Sequence, residues 1–172
     1  MGATGWHYTT QYDPDANAAL QRLRQEVFEA GRYGDSFANA SIWNQPYPIA
    51  LKLIVFTAKC YCVVSSLVGW VIRGFRGPRT IEEALAIAAE SGTHSILDIE
   101  RCSQTPSFSV AWQLQPSRLR ELFGTDRPTL ADLERVGWGA VMATVRRWEA
   151  VYFSLYKDNQ PVLLVFIGVS GD

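Results

Sequence analysis

Apolar positions recur at helical spacing early in the chain. Ala16, Leu20, Leu23, Val27 and Ala30 fall on one side of "DPDANAALQRLRQEVFEAGRYG", which predicts a helix with one buried face. Asp13 is expected as its N-cap with Pro14 at the first helical position, and Gly31 as its stop. Before it, "WHYTTQY" (residues 6–12) is aromatic and β-branched and predicts a first strand. "TIEEALAIAAESG" predicts a second helix, with a Thr80–Glu83 capping box and Gly92 as its end. "THSILDIERCS" reads as a strand, and "FSVAWQLQ" as its antiparallel neighbour. Short helices are expected at "PSRLRELFG" and "TLADLERV", and a further one in "AVMATVRRWEA". The chain then runs "VYFSLY", a "KDNQP" turn and "VLLVFIGVSG", a β-hairpin pattern. Strands at both ends with helices between them predict a single α+β domain over residues 1–172. Its sheet is expected to be mostly antiparallel, with the first strand pairing with the terminal hairpin.

One stretch departs from this amphipathic pattern. "IALKLIVFTAKCYCVVSSLVGWVI" (residues 49–72) holds Lys52 and Lys59 as its only charges, inside an insertion-like segment over 34–79. The plainest reading is a core element whose lysine tips reach water along apolar stems. As a helix it would be roughly 36 Å long, enough for a hydrocarbon core of ~30 Å. Trp70 would then sit near an interface, with Arg73, Arg76 and Arg79 on the cytoplasmic side, but Lys59 in mid-span costs about 2.5–3.5 kcal/mol. Lying on a surface, the helix would place Lys52, Lys59, Ser66 and Arg73 in one narrow stripe, suited to an anionic membrane or a partner's groove. Two buried strands fit less well, because the only candidate turn, "TAK", lacks Gly, Pro, Asn and Asp.

Charge sharpens the contrast. No acidic residue stands between Asp35 and Glu82, while Lys52, Lys59, Arg73, Arg76 and Arg79 do, so the rest of the chain is acidic although the net charge is only -1. That balance speaks against nucleic acid as a partner. A length of 172 residues and 48% apolar content fit one globular domain. Two histidines and three cysteines are too few for a typical zinc site, and no other metal or cofactor is expected. Cys60, Cys62 and Cys102 read as free thiols of a reducing cytoplasm. The opening "MGATGWHYTTQYDPD" has neither a basic start nor an apolar stretch, so no secretory signal is expected there.

Candidate chemistry is sparse. On a strand, His94, Asp98 and Glu100 would share one face, where a histidine and two carboxylates could bind a metal or divide acid–base work. A solvated sheet face is the simpler alternative. Arg24 borders the apolar side of the first helix, so its stem is expected to pack and its head to bond within the fold. Cys60 and Cys62 lie in apolar surroundings that disfavour a thiolate. The chain has no G-x-S-x-G elbow, P-loop, G-x-G-x-x-G or H-E-x-x-H motif.

The pieces "MGATGW", "LRQEVFEAGRY", "TIEEALAIAAESGTHSILDIERCS", "LRELFGTDRPT" and "YKDNQP…GVSGD" resemble a group of small, uncharacterised bacterial proteins that begin with "MGATGW" and end in such a hairpin. The resemblance spans residues 1–33 and 80–172, more thinly over 137–150. It implies a bacterial source and one compact fold. That group has no established activity, so no catalytic residue is carried over. Its members have a shorter, proline-rich link in place of residues 34–79, which makes the apolar run this chain's own departure. The expectation is a non-enzymatic interaction or accessory protein of the immunity type, with a protein partner or self-association. The alternatives are a membrane-associated effector docking through residues 48–76, and an enzyme using the His94, Asp98 and Glu100 set. Localisation is expected to be cytoplasmic, with membrane association under the second alternative.

Overall fold

The aromatic and β-branched opening of the chain forms strand β1 (Thr4–Gln11), the first element of a five-stranded sheet. The structure, a computed structural model, describes residues 4–33, 78–88 and 92–171. Residues 49–72, and with them Lys52, Lys59, Trp70, Arg73 and Arg76, lie outside the described residues. After β1 come helices α1 (Ala16–Glu29) and α2 (Ile81–Ile87), a 3₁₀ turn (Ile96–Asp98), and strands β2 (Arg101–Ser103) and β3 (Val110–Gln113). Helices α3 (Pro116–Phe123), α4 (Leu130–Val136) and α5 (Trp138–Met142) follow, and the hairpin β4 (Glu149–Lys157) and β5 (Gln160–Ser170) closes the chain.

The sheet order is β1-β5-β4-β3-β2. β1 runs antiparallel to β5 from Thr4 opposite Ser170 to Gln11 opposite Leu163, so the first strand joins the terminal hairpin. β4 and β5 are antiparallel with one irregularity at Leu155 and Tyr156, while β3 lies parallel to β4. Asp158 and Asn159 turn the hairpin with positive φ angles of 51° and 62°, the left-handed pair that matches strand twist in a two-residue loop. The architecture is a single α+β fold whose sheet is mostly antiparallel with parallel pairs at one side.

Period-two alternation along the strands sends side chains to both faces, and both faces are covered. Leu20, Leu23 and Val27 of α1 pack with Leu97, Tyr152, Leu164 and Phe166 on one side. Leu119 and Phe123 of α3, Leu133 of α4 and Val141 of α5 pack with Val151, Phe153, Val165 and Ile167 on the other. Each fully buried Leu, Ile or Phe contributes roughly 1.5–3 kcal/mol relative to exposure. An exposed ion pair such as Arg22–Asp13 (2.8 Å) contributes about 0–1 kcal/mol. Packing of α1 and α3–α5 on the two sheet faces therefore dominates stability.

Five local expectations need correction. The N-cap of α1 is Asp15, whose carboxylate accepts from the backbone N–H of Asn17 and Ala18, while Asp13 accepts from the N–H of Asp15. The second helix ends at Ile87, with Ala88 as its C-cap, short of Gly92. The segment around Ile96 is not a strand, because the Ser95 hydroxyl accepts the Leu97 N–H and winds residues 96–98 into a 3₁₀ turn. β2 and β3 pair parallel, not antiparallel, with Arg101 opposite Val110. Residues 104–109 loop back instead of reversing in the plane, held by Glu100 N–H to Ser109 O (2.8 Å) and Ser109 N–H to Trp148 O (2.8 Å). The helix expected in "AVMATVRRWEA" also stops early, at Met142. The Trp148 N–H instead donates to Val169 O (2.7 Å) and feeds the chain into β4.

Candidate functional site

Asp98 is 4% exposed and sits at the centre of a buried polar cluster. Its Oδ1 accepts from the Thr93 backbone N–H (2.7 Å) and the Thr93 hydroxyl (2.8 Å). Its Oδ2 accepts from the Ser170 hydroxyl (2.7 Å), which in turn accepts from the Trp6 indole N–H (3.1 Å). With Thr93 spent on Asp98, the Ser95 hydroxyl donates to Thr93 Oγ1 (2.8 Å). Donors from β5 and the 93–98 segment thus converge on one carboxylate, and Trp6 of β1 joins the network through Ser170. Such a network fixes a unique arrangement when every member is satisfied.

Glycines make room for the rings around this lock. A Cβ on Gly168 would enter the Trp6 ring, and one on Gly171 the Trp148 ring. Three distant parts of the chain meet here through Trp6, Asp98 and Ser170. Their shared work is structural, joining both ends of the chain to its middle.

The set His94, Asp98 and Glu100 is not brought to one face. The 3₁₀ turn breaks the alternation on which that set rested, leaving Asp98 buried, His94 half-buried with φ 52°, and Glu100 exposed. Among the described residues, no three His, Cys, Asp or Glu side chains stand together as metal ligands. Of the basic residues of the central segment only Arg79 is described. It is exposed, and its backbone N–H donates to the Glu83 carboxylate (2.7 Å) at the start of α2. No described helix is long and apolar enough to cross a membrane. Arg24 is 9% exposed and reaches inward, donating to Leu97 O (3.3 Å) and Gln21 Oε1 (2.9 Å). Burial pulls its pKa down, against the opposing pull of Glu100, Glu82 and Asp98.

A different feature stands out at the rim of the sheet. The β2 edge is three residues long, and α1 is tied to its start by Gln21 Nε2 donating to Glu100 O (2.8 Å) and by Asn17 Oδ1 accepting the Cys102 N–H (2.7 Å). β1, at the opposite edge, is eight residues long, and "TGWHYTTQ" contains no Asp, Glu, Lys, Arg or Pro. The Tyr12 N–H points to Val162 O (3.0 Å), so Trp6, Tyr8 and Thr10 share its inward direction. The backbone groups of Gly5, His7, Thr9 and Gln11 face outward. Among the described residues no strand pairs with them.

Apolar surface lies close by. An apolar recess of about 450 Å³ opens at the hairpin tip beside the C-terminal end of β1, walled by Leu130, Leu155, Val162 and Leu163. Leu130 is 46% exposed. On the α5 side, the His7 ring stacks on Trp138 with centroids 4.0 Å apart, and desolvation lowers its pKa, favouring the neutral ring. Sequence reading found β1 but not its edge position, which depends on the pairing order of strands far apart in the chain.

No protein-family model, no curated protein and no solved structure matches this chain.

Proposed function

We propose that the protein is a non-enzymatic interaction protein, of the accessory or immunity type, which docks an extended segment of a partner polypeptide along β1. The observation that carries this reading is the long, uncharged, proline-free outer edge of β1. Natural edge strands are ordinarily blunted by charge, proline, a bulge or shortness, because open backbone groups recruit another strand. β2 is blunted by its shortness, and β1 has none of these devices. Main-chain hydrogen bonds to Gly5, His7, Thr9 and Gln11 supply affinity in such strand addition. An apolar side chain of the partner in the Leu130–Val162 recess supplies selectivity.

The test is site-specific photo-cross-linking in the native host, with the reactive group at Gln11 and a control at the exposed Glu121 of α3. A discrete polypeptide adduct is expected from Gln11 and not from Glu121. Thr9→Pro removes one outward N–H while leaving the bonds to β5 in place, since proline is tolerated where a strand's N–H faces away from its sheet. It should abolish the adduct with little change in Tm. An adduct that persists undiminished in Thr9→Pro sinks the reading.

A further inference from the structure

Strand addition at β1, on which this inference rests, fixes which side of the incoming segment meets which side of the rim. Side chains that stand directly opposite one another on adjacent strands point to the same face. Partner residues opposite Gly5 and His7 therefore face the α5 side, and the one opposite Tyr8 faces the α1 side, where Trp6 and Tyr8 pack. On the α5 side the rim is apolar. The His7 ring lies on Trp138, and a Cβ on Gly5 would enter the Met142 side chain. These two residues, at either end of α5, thus cover the first half of β1, and α5 carries no charge. A methionine beside an aromatic ring offers a soft apolar surface that adapts to aliphatic side chains.

The α1 side has a different character. α1 crosses the sheet: Asn17 and Gln21 are bonded at the start of β2, while the Tyr8 hydroxyl of β1 donates to Arg32 O (3.4 Å) just past the helix's other end. Arg32 therefore stands at the β1 rim, next to the stacked rings of Phe28 and Tyr33. Burial raises the Tyr8 pKa and the Arg32 charge opposes it, so the guanidinium's field reaches the strand. Arg32 is exposed and forms no ion pair among the described residues. Glu29, three residues before it, accepts from Gln25 Nε2 (2.8 Å) instead. Neither β1 nor its neighbour β5 carries a charge, so Arg32 sets the sign of this side of the rim. We infer that the segment docking on β1 is amphipathic: alternate apolar side chains lie against Trp138 and Met142, and a carboxylate on its other face pairs with Arg32.

Three capped eight-residue peptides serve as probes, each N-methylated along one edge to prevent self-pairing. The first alternates valine and threonine, with glutamate in place of a central threonine. The second has lysine there, and the third is the glutamate peptide with every valine changed to threonine. By fluorescence polarisation against the full chain at low salt, the glutamate peptide should bind about fivefold more tightly than the lysine peptide. The peptide without valine should bind about tenfold more weakly than its parent. Arg32→Gln, an exposed change, should erase the preference for glutamate, and Thr9→Pro should abolish binding of both charged peptides. Equal affinity for glutamate and lysine, no loss on removing the valines, a glutamate preference that survives Arg32→Gln, or no binding of any peptide overturns the inference. Strand addition itself is judged separately, by whether the Gln11 adduct forms in the host and is lost in Thr9→Pro.

Discussion

At the scale of single residues, the side chains that looked most chemical are the ones the fold consumes. Asp98 accepts three hydrogen bonds inside the protein, so its removal strands buried donors of Thr93 and Ser170. Asp98→Ala is predicted to cost about 3 kcal/mol of unfolding free energy, and Asp98→Asn, which keeps an acceptor oxygen, about 1 kcal/mol. Urea denaturation checks both, and an alanine variant within about 0.5 kcal/mol of the parent contradicts the structural role. Cys102 is held inert in a different way. Burial, with a smaller push from Asp15, raises its pKa from 9.0 to about 12, and its thiol donates weakly to Ala16 O (3.4 Å). In the native chain Cys102 should resist iodoacetamide at pH 8 and react only after unfolding, as read by peptide mass mapping. The sign for stability follows from the raised value. The contribution is fully present below the unfolded thiol's pKa and is lost as pH rises from there to about 12. Arg24 was legible in the sequence, because helical spacing alone puts it at the border of the apolar side. Asp98 was not, because its partners Thr93 and Ser170 come from a local turn and from the far end of the chain.

At the scale of elements, the helices and the hairpin were readable, since their signals are local: caps, apolar spacing and turn residues. The capping box forms at α4, with Thr129 and Asp132 each accepting from the other's backbone N–H, whereas at α2, where it was expected, Thr80 accepts the Glu83 N–H but the Glu83 carboxylate takes the N–H of Arg79. Boundaries followed geometry that spacing does not report. Asp13 and Asp15 both precede α1, and only the observed bonds assign the cap to Asp15. Asp15→Ala is therefore predicted to cost about 1 kcal/mol and Asp13→Ala distinctly less, by thermal or urea unfolding. The reverse order would restore Asp13 as the cap. Glycine positions separate in the same manner. Gly171→Ala places a methyl in the Trp148 ring and should destabilise by about 2 kcal/mol or more. Gly139→Ala in α5 meets nothing within 4 Å and should gain about 0.5 kcal/mol. The parallel pairing of β2 with β3 was hidden because the link over residues 104–109 carries no signal that tells a reversal from a return loop.

At the scale of the molecule, an α+β fold is joined at its two ends, with β1 against β5 and the Asp98 lock drawing Trp6 and Ser170 to the middle of the chain. The same closure that stabilises β1 leaves it at the rim with one side unpaired among the described residues. The most direct measurement is residue-resolved amide exchange across β1 in the isolated chain. Slow exchange is predicted at Trp6, Tyr8, Thr10 and Tyr12, whose N–H groups face β5, and fast exchange at His7, Thr9 and Gln11, whose N–H groups face outward. Uniformly slow exchange from Trp6 to Tyr12 would mean that the edge is already covered, and strand addition on β1 would no longer stand.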